Sequence, residues 1–262
     1  MACILTRKSM RATWIVPALS ACLALTTGAA NADFVGLNIG ASQWKHGFTD
    51  AYDYQDSSKI DLVDDLDIEN PEQKSMVLIL EHPIKALPNI RYQAHDLDSS
   101  GFSTMGSDSS FSGRSLNSGN EVTSTVDLSQ NDIVLYYQLL KNRINLDLGV
   151  DLKRFDGEVS FDGTTSTIVA VDETIPLLYL SARYDLPKSG FYVGASINAN
   201  FINLGLSESS AQDSTIMLGY ESGNGLGVEG GYKSFSLELD NANNLATDLE
   251  YDGLYLNGYF NF

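Results

Sequence analysis

Cysteine is almost absent from this 262-residue chain: Cys3 and Cys22 are the only two, and both lie within the first 32 residues. Downstream of them a disulfide framework or a thiolate metal site is excluded. Histidine is nearly as scarce, with His46, His82 and His95 alone, so imidazole chemistry has few places to sit. Cations are outnumbered, 16 Lys and Arg against 34 Asp and Glu, for a formal charge of -18. That balance argues against a nucleic-acid partner. Long apolar runs are missing after residue 32, and the mean hydropathy is -0.10; nothing there approaches the ~20 apolar residues of a spanning helix. This absence does not exclude the membrane. In a transmembrane β-barrel only every second residue meets lipid, so a window average stays near neutral while the alternation is strong.

The N-terminus carries an export pattern. Arg7, Lys8 and Arg11 precede a mostly apolar stretch from Trp14 to Leu25, and Ala30-Asn31-Ala32 supplies small residues for a signal peptidase. Residues 1–32 read as a cleaved secretory signal, and residues 33–262, starting at Asp33, as the mature protein. Leu19-Ser20-Ala21-Cys22 also matches a lipoprotein cleavage box. The apolar run continues past Cys22, which favours cleavage before Asp33.

What the chain does have is alternation. In INLDLGVDLK, Ile144, Leu146, Leu148, Val150 and Leu152 alternate with Asn145, Asp147, Gly149, Asp151 and Lys153. A helix cannot use that pattern; a strand with two unlike faces can. The same rhythm runs through FVGLNIGAS, FYVGASINANF, LLYLSARYDL and the closing LYLNGYFNF. DIVLYYQLLKN also fits a helical face, but its aromatic and β-branched content favours strand. Ten strands result, near 34–46, 74–82, 89–98, 121–140, 143–160, 167–186, 190–206, 210–222, 225–240 and 248–262, with eight or twelve as alternatives. Around Lys233 the phase changes: Leu226, Val228 and Tyr232 are even, whereas Phe235, Leu237 and Leu239 are odd. A β-bulge after Gly230-Gly231 is the expected cause.

Connection lengths alternate as well. Short links fall at 82–88, 141–142, 187–190 and 223–225, and long polar ones at 47–73, 99–120, 158–166, 207–213 and 241–247. The expected architecture is an all-β, antiparallel, up-and-down transmembrane barrel with short periplasmic turns and long extracellular loops, in the outer membrane of a Gram-negative cell. A periplasmic β-sandwich or lipocalin-like barrel would show the same periodicity. The polar faces are rich in Gly, Asn and Ser, as at Gly36, Asn38, Gly40 and Ser42, which suits a crowded lumen better than an exposed surface. Leu254, Leu256, Phe260 and the terminal Phe262 then form the apolar face of a closing strand and an assembly signal for the barrel-assembly machinery. Outer-membrane lipid and lipopolysaccharide are the surrounding partners.

LEHPIKALPNIR (80–91), DIVLYYQLL (132–140), LDLGVDLK (146–153), VEGGYKSF (228–235) and DLEYDGLYLNGYFNF (248–262) together resemble a family of proteobacterial outer-membrane β-barrels labelled for an internal Gly-Gly. The resemblance implies fold and location. It brings no substrate, cofactor or catalytic residue, so function rests on the site.

Three constellations compete for that site. His46 and His95, at loop-side strand ends near Asp50, Asp96 and Asp98, define a rim hydrolase of protease or lipase type as the alternative function; His82, before Pro83, belongs to a turn. The first loop holds Asp50, Asp53, Asp56, Asp61, Asp64, Asp65, Asp67, Glu69 and Glu72 against one lysine. It lacks the glycine that a calcium loop requires and reads as solvated. The second loop, rich in Ser and Gly, reads as mobile. The strand count points inward-facing charges at one another: Asp147 at Arg183, Glu81 at Arg91, and Glu229 at Tyr259. A barrel of about ten strands is barely wider than those that side chains fill, so these residues should pair as a lumen plug, with no cofactor or metal. The expected function is non-enzymatic: a structural and surface-loop barrel, or a narrow pore for a small solute.

Overall fold

A computed structural model describes residues 35–53, 60–61, 63–68, 72–111, 114–164, 166–200, 209–242 and 245–262. The expected signal segment, its Cys22 and Asp33 alternatives, and the side chains of Asp50, Asp53, Asp56, Glu69 and Glu72 lie outside the described residues or side chains. No described residue is helical. The strands are β1 (Gly36–Asp53), β2 (Ile60–Asp61), β3 (Glu72–Glu81), β4 (Asn89–Asp96), β5 (Asp98–Thr104), β6 (Ser109–Phe111), β7 (Arg114–Leu116), β8 (Glu121–Asp127), β9 (Gln130–Lys141), β10 (Ile144–Asp162), β11 (Thr167–Asp185), β12 (Phe191–Ala199), β13 (Ser210–Glu221), β14 (Leu226–Ala242) and β15 (Leu245–Asn261).

Ten of these form the wall, once β4–β5 and β8–β9 are each taken as one strand broken at Leu97 and at Leu128-Ser129. Every wall pairing is antiparallel, and β15 closes the barrel on β1 from Asn38↔Asn261 to Asp53↔Thr247. The Phe262 amide continues that seam, donating to Leu37 O at 2.8 Å. Closure follows from the chemistry of hydrocarbon, where an unpaired strand edge has no water to bond.

The outer face carries a belt of exposed apolar side chains. On β10 it runs from Ile144 to Leu152, and Leu254 and Leu256 of β15 are 69% and 61% exposed. Nine residues span about 27 Å along the strand and, at a tilt of ~40°, about 21 Å of height, close to the ~25 Å apolar band of a membrane barrel. Leu254, Leu256, Phe260 and Phe262 all lie on this face.

On the loop side of the belt the faces exchange character. Phe155, Val159 and Phe161 of β10, Val171, Ile175 and Leu177 of β11, Phe235, Leu237 and Leu239 of β14, and Leu249 and Tyr251 of β15 point inward and are buried. On β10, β14 and β15 their outward neighbours are polar. Each of these strands is therefore apolar-out in the belt and apolar-in above it, as expected for one wall crossing from lipid into water. This corrects the bulge expected near Lys233. The pairing of β14 runs without a shift from Ser210↔Glu238 to Glu221↔Gly227 on one side, and without one from Leu226↔Phe260 to Leu239↔Thr247 on the other. The environment changes there, not the register. Gly231 has a different reason: a Cβ there would run into the Ile216 carbonyl oxygen and come within 2.8 Å of the Tyr255 ring.

The loops are likewise more ordered than expected. Strands extend through 158–162, 210–213 and 245–247. The Ser/Gly-rich second loop is not a loose one: β5 and β8 pair along its flanks, β6 and β7 form a hairpin, and Met105 and Leu116 enter the core. In the first loop the acidic run is solvated only in part. Leu66 and Ile68 are buried in the same core, Ile68 bridges Gly101 on the free edge of β5, and Ser103 Oγ donates to Asp65 O at 2.7 Å. Asp61 Oδ1 accepts from the amides of Val63 and Asp64 at 2.9 Å each, which ties the turn that aims Leu66 inward. Among the described residues no group of three or more His, Cys, Asp or Glu side chains could hold a metal ion.

Candidate functional site

Beneath the apolar core, the polar inward face of the belt encloses a cavity of about 440 Å³. It reaches from turn-end residues such as Gly36, Lys141 and Asn261 up to Trp44, Ser75 and Asp213. The six residues expected in the lumen network, Glu81, Arg91, Asp147, Arg183, Glu229 and Tyr259, all line it.

Their partners differ from the expected ones. Asp147 stands opposite Ser181, and Arg183 opposite Asn145. Arg183 Nε instead lies 2.7 Å from Asp185 Oδ1, two residues along the same face, and its Nη1 lies 3.4 Å from Glu221 Oε2. The guanidinium stacks on Tyr192, 3.6 Å from the ring centroid. A nearer carboxylate and an aromatic platform hold Arg183, so the expected Asp147–Arg183 pair does not form. Glu81 does not pair with Arg91 either; it accepts from Lys141 Nζ and Tyr136 Oη, each at 3.3 Å, while Arg91 Nη2 donates to Gln93 Oε1 at 2.9 Å. Glu229 accepts from Tyr192 and Tyr255, both at 2.9 Å. It reaches Tyr259 only through Tyr192, whose hydroxyl is 3.1 Å from that of Tyr259. Tyr259 gives its own hydrogen to Glu221 at 2.9 Å.

Gly149 lets the middle of this lumen close up. A Cβ there would lie 2.7 Å from Tyr136 Cβ; without one, Tyr136 and Tyr179 on the flanking strands meet across β10 with ring centroids 5.8 Å apart.

A charged layer separates the cavity from the core. Lys233 Nζ is 3.0 Å from Asp213 Oδ2, which is 4.0 Å from Lys153 Nζ. Lys153, fully buried, donates to Asp132 Oδ2 at 2.7 Å. The same oxygen is 3.3 Å from His95 Nε2, and His95 Nδ1 is 2.8 Å from Ser75 Oγ. Six strands, β14, β13, β10, β9, β4 and β3, thus contribute to one row of groups crossing the interior. Asn198 supports the row from β12 by donating to Asp151 Oδ2 at 2.8 Å. Charges this deep need partners at short range, since an unpaired one costs several kcal/mol.

Most of this row was missed in the sequence, for a definable reason. Counting back from the Lys141-Asn142 turn sets Lys153 opposite the outward Ile133. The observed pair is Lys153↔Asp132, because Leu139 is an extra residue bulged out of β9 between Leu140↔Leu146 and Gln138↔Asp147. Leu139 and Leu140 are both exposed on the lipid side. Two consecutive leucines that both need lipid were the available signal.

The rim-hydrolase arrangement also changes. His95 points inward, so Asp96 and Asp98, on the opposite face, are exposed outward, as strand alternation requires. His46 packs between Trp44 and Tyr251, at 4.5 and 5.0 Å between centroids. His82 Nδ1 accepts from Ile84 N at 3.2 Å and Nε2 donates to Pro88 O at 3.0 Å, which tie its turn. Ser75, His95 and Asp132 do stand in the order hydroxyl, imidazole, carboxylate. The Asp132 oxygen that faces His95 is shared: it also accepts from Lys153, at 2.7 Å against 3.3 Å to the imidazole.

No known family profile matches the chain, and no curated protein matches it. Among solved structures it is similar to the outer membrane protease OmpT from Escherichia coli, at 13% identity and a TM-score of 0.47 over 90% of this chain and 99% of that one. It is similar to the translocator domain of the autotransporter NalP from Neisseria meningitidis, at 10% identity and a TM-score of 0.40 over 94% and 95%. An outer membrane channel from Pseudomonas putida F1 matches at 13% identity and a TM-score of 0.31 over 89% and 99%.

Proposed function

We propose that this protein is exported by residues 1–32 and resides in the outer membrane of a Gram-negative cell as a non-enzymatic barrel with a lumen blind at its loop end. Its role is to stabilise the outer leaflet and present a folded extracellular head, in contact with outer-membrane lipid and lipopolysaccharide. The observation that carries the reading is the stack above the cavity: the buried row from Lys233 to Ser75, then a core with Phe155, Phe235, Leu237 and Leu66. A hydrated ion has no path through that core without expelling it. Purified protein in planar bilayers should show no steady single-channel conductance, whereas stable openings of porin size overturn the reading. A narrow small-solute pore is the second reading. It is supported by the charged lining of the 440 Å³ cavity, and it predicts conductance that appears only when the Leu66–Ile68 strap is removed or displaced. The hydrolase reading has weaker support, because the Asp132 oxygen facing His95 is shared with Lys153; turnover of lipid or peptide lost in His95→Ala would restore it.

A further inference from the structure

We infer that the cavity is a binding site for a small zwitterion of the α-amino-acid class, entering from the turn end of the barrel. The inference rests on the blind-lumen reading for its direction of entry. Its basis is what the internal pairing leaves over. Lys141 takes Glu81, Arg183 takes Glu221 and Asp185, and Lys233 takes Asp213. Glu229 is held by the hydroxyls of Tyr192 and Tyr255. Among the described residues two charged groups keep an uncommitted polar atom in the same cavity: Arg91 through its Nε donor, beside its bonds to Gln93 and Tyr179, and Asp147 through its Oδ1 acceptor.

They do not bond each other, although the charge of Arg91 reaches Asp147, as do those of Lys141 and, in opposition, Glu81. An orphan cationic donor and an orphan anionic acceptor, both shielded from bulk solvent, match a ligand that brings a carboxylate to the first and an ammonium to the second. Tyr136 and Tyr179 line the same cavity beside Arg91, and aromatic faces suit a cation or an aliphatic side chain. Deeper in, Trp44 Nε1 and Gln73 Oε1 are a further unpartnered donor and acceptor on side chains only 3% and 2% exposed. They sit on directly paired residues of β1 and β3, and they offer a polar ligand side chain one acceptor and one donor partner. A ligand with a single charge would satisfy one end and leave the other buried without a partner.

Trp44 is the only tryptophan after residue 32, and it lines the cavity, so protein starting at Asp33 reports occupancy by its own fluorescence. L-Glutamine is the probe, with propylamine and propionate as single-charge controls, and calorimetry runs in parallel. The expected result is saturation by glutamine with half-occupancy at or below ~1 mM. The single-charge controls should bind about tenfold more weakly or worse, as should glutamine to Asp147→Asn and to Arg91→Gln, since each loses one charge-assisted bond. Asp147→Asn is nearly isosteric and keeps the test valid where Arg91→Gln does not fold. Absence of saturation up to about tenfold above that concentration, controls that bind as well as glutamine, or undiminished binding by Asp147→Asn each overturn the proposal. A wild type that conducts and still binds glutamine sinks the sealed-barrel reading but keeps the site.

Discussion

Replacing Lys153 by Met keeps the length of the side chain and removes its charge from the centre of the buried row. Asp132 then loses its 2.7 Å donor and Asp213 a cation 4.0 Å away. Among the described residues Asp132 Oδ1 has no hydrogen-bond partner to fall back on, and neither has Asp151 Oδ1. Removing one member of a buried ion pair costs about 3–5 kcal/mol, because the surviving charge stays desolvated. The unfolding constant of Lys153→Met should therefore rise roughly 10²- to 10⁴-fold. The fluorescence of Trp44, whose ring lies under Lys233, follows urea unfolding in lipid vesicles. The double variant Lys153→Met/Asp132→Asn should regain most of the loss, since a neutral amide replaces the stranded carboxylate. Two results refute the reasoning: a single-variant cost below about 1 kcal/mol, the range of an exposed pair, or a double variant less stable than either single one.

Phe262→Asp should impair barrel assembly while export proceeds, because it sets a charge on the lipid face of the closing strand; heat-modifiable, protease-resistant barrel at wild-type yield would contradict this. Leu66→Ala, in a strap that looks like an acidic surface loop, should cost about 2–5 kcal/mol as a fully buried leucine does, and chemical denaturation with a wild-type midpoint would remove the strap from the core. Gly231→Ala should prevent or strongly destabilise folding, judged by the fraction of folded barrel on refolding, since its Cβ would fall 1.9 Å from the Ile216 carbonyl oxygen, on the strand paired with its own, and 2.8 Å from the Tyr255 ring. Arg183→Ala should cost less than about 1 kcal/mol, given that its ion pairs are about one-third exposed, and should leave Asp147 as it was; a large loss in equilibrium unfolding would argue for a tighter network than the distances give.

Period-two alternation, turn residues and connection lengths are local properties, and they determined the barrel class, the ten wall strands and the lipid-facing positions from Ile144 to Leu152 and from Leu254 to Phe262. A strand's two faces differ whatever surrounds it, so the pattern survives in one dimension. Which face is apolar is not local. Phe235, Leu237 and Leu239 break phase with Leu226, Val228 and Tyr232 because the medium outside the wall changes from lipid to water, and the chain records the exchange in a form that mimics a bulge. The real bulge, at Leu139, is a single extra residue, yet it moves the cross-strand partner of Lys153 from Ile133 to Asp132 and so assembles the buried row. Pairing inside the lumen was decided in three dimensions too. Side chains as long as arginine and glutamate reach past their nearest cross-strand neighbours, so Arg183 settles on Asp185, Glu221 and the Tyr192 ring, and Asp147 and Arg91 are left facing the cavity with one atom each that nothing among the described residues satisfies.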